Sequence, residues 1–156
     1  SIARMRAKLC LATAADDDVE LVNELLTSME QGNADFTMTF RRLSDAMRGN
    51  AIPVQGQFDG LQGINTWLDR WRGRLAQEDI APETRAAQMD QINPIYIPRN
   101  HKVEEALAAA VDAKDMSAFS SLLTVISNPF EEVAGQEDYA APAAPAAFPY
   151  QTFCGT

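Results

Sequence analysis

INPIYIPRNHKVEEAL, residues 92 to 107, is the stretch on which the reading of this chain turns. Pro94 and Pro98 each lack an amide donor and hold the residue before them extended, so Asn93 and Ile97 do not fit inside a continuous helix. Helix resumes after Arg99. Asn100 is placed to cap a helix beginning near His101, with its side chain accepting from the amides of residues 102 or 103. Val103, Ala106, Leu107, Ala110 and Val111 then share one face at three- and four-residue spacing. A bent segment carrying Ile92, Ile95, Tyr96 and Ile97 between two amphipathic helices is expected to be pinned against a core.

Upstream of the bend the same helical period recurs. Ile2, Met5, Leu9 and Ala12 mark a first helix over residues 2 to 13, with Cys10 beside its apolar face. Asp17 and Glu20 have capping-box spacing, ahead of a second helix that turns Val22, Leu25, Leu26 and Met29 inward and stops near Gly32. Phe36, Phe40, Leu43 and Met47 form a third stripe, capped by Asn33 or Asp35, with Arg41, Arg42 and Asp45 turned away. NAIPVQGQFDG, residues 50 to 60, reads as a long loop. Ile64, Trp67, Leu68, Trp71 and Leu75 define the next helix, its arginines mostly on other faces. The two tryptophans suit core packing, with a partner surface as the other reading. Pro82 opens a helix that ends near Gln91, with Met89 and Ile92 inward.

Downstream, Asp115 can cap a helix through Met116, Phe119, Leu122, Leu123 and Ile126 that ends before Asn128 and Pro129, and a short turn follows between Glu131 and Tyr139. AAPAAPAAFP, residues 140 to 149, is helix-incompatible and should be extended. No stretch alternates as a strand does. The expected fold is therefore all-α: six or seven helices packed around one core over residues 2 to 127. The expected organisation is a helical domain over 1–139 and an extended Ala/Pro-rich tail over 140–156 carrying a terminal cysteine.

A net charge of -9, from 22 acidic and 13 basic residues, argues against a nucleic-acid partner, which needs a concentrated basic footprint. No apolar run approaches the ~20 residues that span a bilayer, so no membrane partner is expected, and the setting reads as cytoplasmic. The chain opens on Ser1 and runs straight into a helical pattern, as a processed chain or a piece of a larger protein does.

Enzyme signatures are sparse. His101 is the one histidine and reads as a surface or packing residue. No glycine-rich phosphate loop, nucleophile elbow, HExxH or paired CxxC occurs. Asp16 to Asp18 lack the further ligands of a calcium loop. Cys10 reads as a small buried apolar residue, with a disulfide to Cys154 as the alternative. Cys154 lies beyond the extended spacer, next to Gly155. Its plain reading is an unremarkable terminal residue, and its functional reading is an accessible, reactive thiol.

NPIYIPRNHKVEEAL, the helix ending in NPFEE, EDYAAP and the terminus Phe-Cys-Gly-Thr together resemble the C-terminal part of the SelO (YdiU) family of kinase-like protein adenylyltransferases. MRAKLCL, VELVNELLTSME and DFTMTFRRL resemble the helical region that precedes the NP and RN motifs there, so the likeness covers essentially the whole chain. The resemblance implies transfer of AMP from ATP, with magnesium, to Ser, Thr or Tyr hydroxyls of protein substrates. It also implies that the residues gripping ATP and metal lie in an upstream kinase-like catalytic domain, which is the expected partner. This chain would then be a non-catalytic helical domain with no catalytic, cofactor-binding or metal-ligating residue of its own. Asn93 and Pro94 match the NP motif, and Arg99 and Asn100 the RN motif. These four are expected to be structural first, with contact to the upstream domain or its nucleotide as the alternative, and Arg99 should bind carbonyls or a carboxylate to hold the bend. Cys154 matches the position of a family selenocysteine, which implies redox regulation through a disulfide with the catalytic region. The Cys-Gly-Thr ending departs from the Cys-Ser-Ser of many members. A different class of function, a stand-alone helical interaction module using the arginines and tryptophans of residues 67 to 74, is the competing reading.

Overall fold

Helices account for all the regular structure among the described residues, 1 to 145, of the computed structural model, and no strand forms there. Contacts divide the chain into two compact units, Ser1–Asn93 and a second that opens at Pro94. The single core expected from the apolar stripes gives way to this division, whose boundary falls inside the stretch quoted above. The expected tail lies mostly outside the described residues.

The first unit holds α1 (Ile2–Lys8), α2 (Asp18–Gln31), α3 (Phe36–Met47), α4 (Ile52–Gln55), α5 (Gln62–Leu75) and α6 (Pro82–Ile92). α2 packs on α5, α3 on α4 and α6, and α1 on α2 and α6. Leu25, Leu43, Val54, Ile64, Trp67, Trp71 and Met89 are sealed in its core. The tryptophan rings stack with centroids 5.5 Å apart. Each indole still satisfies its donor, Trp67 to the Leu21 carbonyl at 2.8 Å and Trp71 to the Leu9 carbonyl at 3.0 Å. Both rings are thereby committed to packing, which removes the aromatic part of the binding face that an interaction module would use.

Several local expectations are corrected. α1 stops at Lys8, not at residue 13, because Cys10 adopts φ 56°. The Cys10 amide donates to the Ala7 carbonyl and the Leu11 amide to the Arg6 carbonyl, which is a Schellman ending with cysteine in the left-handed position. That reversal turns Leu9 and Leu11 into the core. α2 ends the same way with Asn33, φ 51°, in the left-handed position. Gly32 serves close approach instead, since a Cβ there would lie 2.7 Å from the Phe58 ring. The Asp17 side chain makes no capping bond, whereas Asp35 does cap α3, accepting from the Met38 amide at 2.9 Å. The expected loop at 50 to 60 contains α4, which buries Val54. Ile92, expected inward, is exposed.

The second unit contains α7 (Asn100–Asp112), α8 (Ser117–Ile126) and α9 (Glu137–Ala140). Its extended opening is pinned as the paired prolines suggest. The Ile95 and Tyr96 amides both donate to the Pro129 carbonyl, at 2.8 and 3.2 Å, and the Tyr96 hydroxyl accepts from the Val133 amide at 2.9 Å. Asp115 supports the start of α8 by accepting from the Ser117 amide at 2.9 Å. The stripes expected to face inward are only partly covered. Ala106, Leu122 and Val125 are buried, but Leu107, Val111, Met116 and Leu123 are exposed.

Candidate functional site

Asn93, at the C-terminal end of α6, is 1% exposed and bonded on every side. Its amide nitrogen donates to the Lys8 carbonyl at 3.0 Å, its side-chain oxygen accepts from Lys8 Nζ at 3.3 Å, and its own carbonyl accepts from Arg41 at 3.0 Å. Arg41, expected to point away from the core, is instead buried and also donates to the Asp90 carbonyl at 2.9 Å. The sequence pattern misses this because carbonyls freed at a proline-broken helix end need a donor, which periodicity does not register. Lys8 Nζ also sits 5.3 Å from the Phe40 ring centroid and 5.7 Å from that of Phe36. Burial, with Arg4 adding to it, lowers the Lys8 pKa.

The other motif residues belong to the second unit. Arg99 is 1% exposed and donates to the Ala140 carbonyl at 2.9 Å, closing α9 onto the start of α7. Binding of a carbonyl by Arg99 follows the sequence expectation. The cap position does not: Arg99 takes it, and its carbonyl accepts from the Lys102 and Val103 amides, both at 3.0 Å. Asn100 is the first residue of the helix, not its cap. Pro94 and Asn100 are half-buried, and Cys154 lies outside the described residues.

An ionic cluster that sequence reading did not find lies in the first unit. Asp18 is fully buried and accepts from Arg74 Nε and Arg6 Nε, each at 2.7 Å, and from the Ala15 amide at 2.9 Å. Burial alone would raise its carboxyl pKa, but the bonds from Arg74, Ala15 and Arg6 outweigh it and bring the value down to about 2. Glu78 accepts from the Ala12 and Thr13 amides at 3.1 and 2.8 Å, from the Thr13 hydroxyl, and from Arg74 and Arg85 at 3.2 and 2.9 Å. Burial opposes its ionisation as well, yet the Thr13, Ala12 and Arg85 bonds hold its pKa far below the usual carboxylate range. Arg85 also donates to the Cys10 carbonyl at 2.6 Å and to the Leu75 carbonyl at 3.1 Å. Three arginines and two carboxylates thus clamp the turn between α1 and α2. The one signal available in the sequence was the four-residue spacing of Arg74 and Glu78.

Two concavities flank this cluster. An open groove of about 970 Å³ between α2 and α5 is walled by Asp16, Asp17, Glu20 and Glu24, with Gly63 and Trp67 on the α5 side. A smaller one, about 380 Å³, lies among Met47, Trp71, Leu75, Ile80 and Pro82 and touches Glu78 and Arg85. Among the described residues no three His, Cys, Asp or Glu side chains come together as a metal site. Cys10 is buried, its sulfur 3.4 Å from Gln88 Oε1, and burial raises its thiol pKa despite the opposing pull of Arg85. Among the same residues no helix is long and apolar enough to cross a membrane.

A family profile described as protein adenylyltransferase SelO matches residues 2–127. Among curated relatives, a protein nucleotidyltransferase YdiU of Rhizobium meliloti (strain 1021) is 46% identical over 154 residues, 97% of this chain and 31% of that protein. One from Rhodopseudomonas palustris (strain ATCC BAA-98 / CGA009) is 45% identical over 157 residues, 99% of this chain and 32% of its own length. A third, from Agrobacterium fabrum (strain C58 / ATCC 33970), is 44% identical over 152 residues, 97% of this chain and 31% of its length. The chain therefore spans about a third of the length of these relatives.

Proposed function

From the premise that this chain belongs to the SelO family of protein adenylyltransferases, we propose that it is the helical, non-catalytic C-terminal part of a longer protein nucleotidyltransferase. In this reading the longer protein transfers AMP from ATP, with magnesium, to Ser, Thr or Tyr hydroxyls of other proteins in the cytoplasm. A kinase-like region upstream holds ATP and the metal, and this chain supports it.

One observation carries the proposal: relatives named as nucleotidyltransferases align with nearly all of this chain yet have about two thirds of their length outside the match. The donor chemistry supports leaving ATP and magnesium to that remainder. The buried arginines that could neutralise a triphosphate are already engaged, Arg74 and Arg85 with carboxylates and Arg41 with carbonyls. The described carboxylates do not group as metal ligands. In this reading Mg-ATP is left to the upstream region, and no step of the transfer is assigned to the described residues.

Cys154 belongs to the same proposal as a regulatory thiol. In the sequence it follows the proline-rich run APAAPAAFP, which begins just after α9. A peroxide would oxidise the Cys154 thiol and a second cysteine thiol of the upstream region to a disulfide. The two thiols give up two electrons and two protons as the S–S bond forms and the O–O bond breaks, and the peroxide leaves as two waters, or as an alcohol and a water. The test is mass-spectrometric detection of AMP on an acceptor protein after incubation with ATP and magnesium. The longer protein should form the adduct and this chain alone should not, and adduct from the clean chain would overturn the assignment. C154A should make the longer protein's activity insensitive to reductant, and wild-type sensitivity in C154A would remove the redox role.

A further inference from the structure

In the second unit, α7 and α8 are joined by four residues and pack as an antiparallel hairpin along Ala106, Leu122 and Val125. Leu107 and Val111 lie one turn apart on α7, and Met116, at the N-cap of α8, stands two turns before Leu123. At ~100° per residue, both pairs stand about 100° to 150° round from the line where the helices meet, in the same rotational sense. In an antiparallel pair the same sense on both helices is the same side, so the four side chains form one apolar face. They are 49%, 74%, 56% and 47% exposed. A contiguous face of large apolar side chains left open on a folded surface marks a site that a partner surface covers.

We infer that this face is the docking surface for the remainder of the longer polypeptide, an inference that rests on the proposal that the chain is one part of such a protein. The length of chain outside the match is the first support, because about two thirds of each relative is present at tethered, high effective concentration. Charge supplies the second. From Pro94 onward the sequence holds eight Asp or Glu against Arg99, Lys102 and Lys114. At the same ~100° per residue Glu104 falls beside Val111, and Asp115 directly precedes Met116 in the chain, so a second copy docked face to face would bring like charges together. An anionic lipid surface would meet the same repulsion. The fitting occupant is a protein surface with an apolar centre and a basic rim.

Cysteine footprinting tests this without reference to catalysis. Val111→Cys and Leu123→Cys are made separately in this chain and in the longer protein, and maleimide labelling at each site is followed by peptide mass mapping. Glu105→Cys, on the other flank of α7, is the control. Labelling at 111 and 123 should be at least tenfold slower in the longer protein than in this chain, with position 105 unchanged. Equal rates at 111 and 123 in both proteins would overturn the inference. Protection in this chain alone that grows with its concentration would assign the face to a second copy and overturn it as well. AMP transfer, measured separately, distinguishes the two proposals: transfer without protection sinks only the docking surface, and protection without transfer sinks only the catalytic assignment.

Discussion

Replacing Asp18 with asparagine keeps the volume of a fully buried side chain and removes its charge. In the folded chain its proton leaves near pH 2, against an ordinary 3.8. At ~1.4 kcal/mol per tenfold change in proton affinity, that difference contributes about 2.5 kcal/mol at neutral pH. The contribution is complete above the unfolded value near 4 and is lost as pH falls toward 2. Removing one member of a buried pair costs about 3 to 5 kcal/mol. Arg74 retains Glu78 and the Thr13 carbonyl, so Asp18→Asn should fall near the lower end, at about 3 kcal/mol. Urea unfolding followed by the fluorescence of Trp67 and Trp71 reads this directly, because both rings leave the core. The gap between wild type and variant should narrow by about 1 kcal/mol between pH 7 and pH 3. A gap under ~1 kcal/mol at pH 7, or one that does not change by pH 3, would refute the account of Asp18 as an ionised, arginine-bound carboxylate.

Trp67→Ala should cost about 3 to 5 kcal/mol by denaturation, since it leaves a cavity in the core and removes the indole bond to the Leu21 carbonyl. Asn93→Ala should cost about 1 to 3 kcal/mol, through the unpaired Lys8 carbonyl, and more than Asn100→Ala; the reverse order of midpoints would restore the capping role to Asn100. Gly32→Ala should destabilise by about 1 to 3 kcal/mol in wild type and by clearly less in a Phe58→Ala background, as a double-mutant cycle would read. Cys10 should react slowly with iodoacetamide in the folded chain and quickly in urea, since burial both hides the thiol and raises its pKa.

Helix identity in this chain is a local matter, and it was legible for that reason. Apolar residues recurring at three and four positions place the cores of α2, α3, α5 and α6, and Pro82, Pro94 and Pro98 act on the backbone whatever surrounds them. The family likeness was legible on the same terms, through the order of short motifs from MRAKLCL to NPFEE, and the family match bears it out. Arg41, Arg74 and Arg85 show where local reading stops. An arginine looks solvent-bound in any window of sequence, and only the arrival of carbonyls and carboxylates from residues up to 75 positions away makes its burial favourable.

Sequence alone therefore determined the helical class, the interruption at Pro94 and Pro98 and the family, because torsional limits and periodicity act within a few residues. Tertiary structure decided which charges lie inside, why Gly32 is a glycine, and that Leu107, Val111, Met116 and Leu123 stay uncovered. It also set the division at Asn93. Each of those depends on what approaches from a distance, and an amphipathic stripe specifies that a face is apolar without specifying what will cover it.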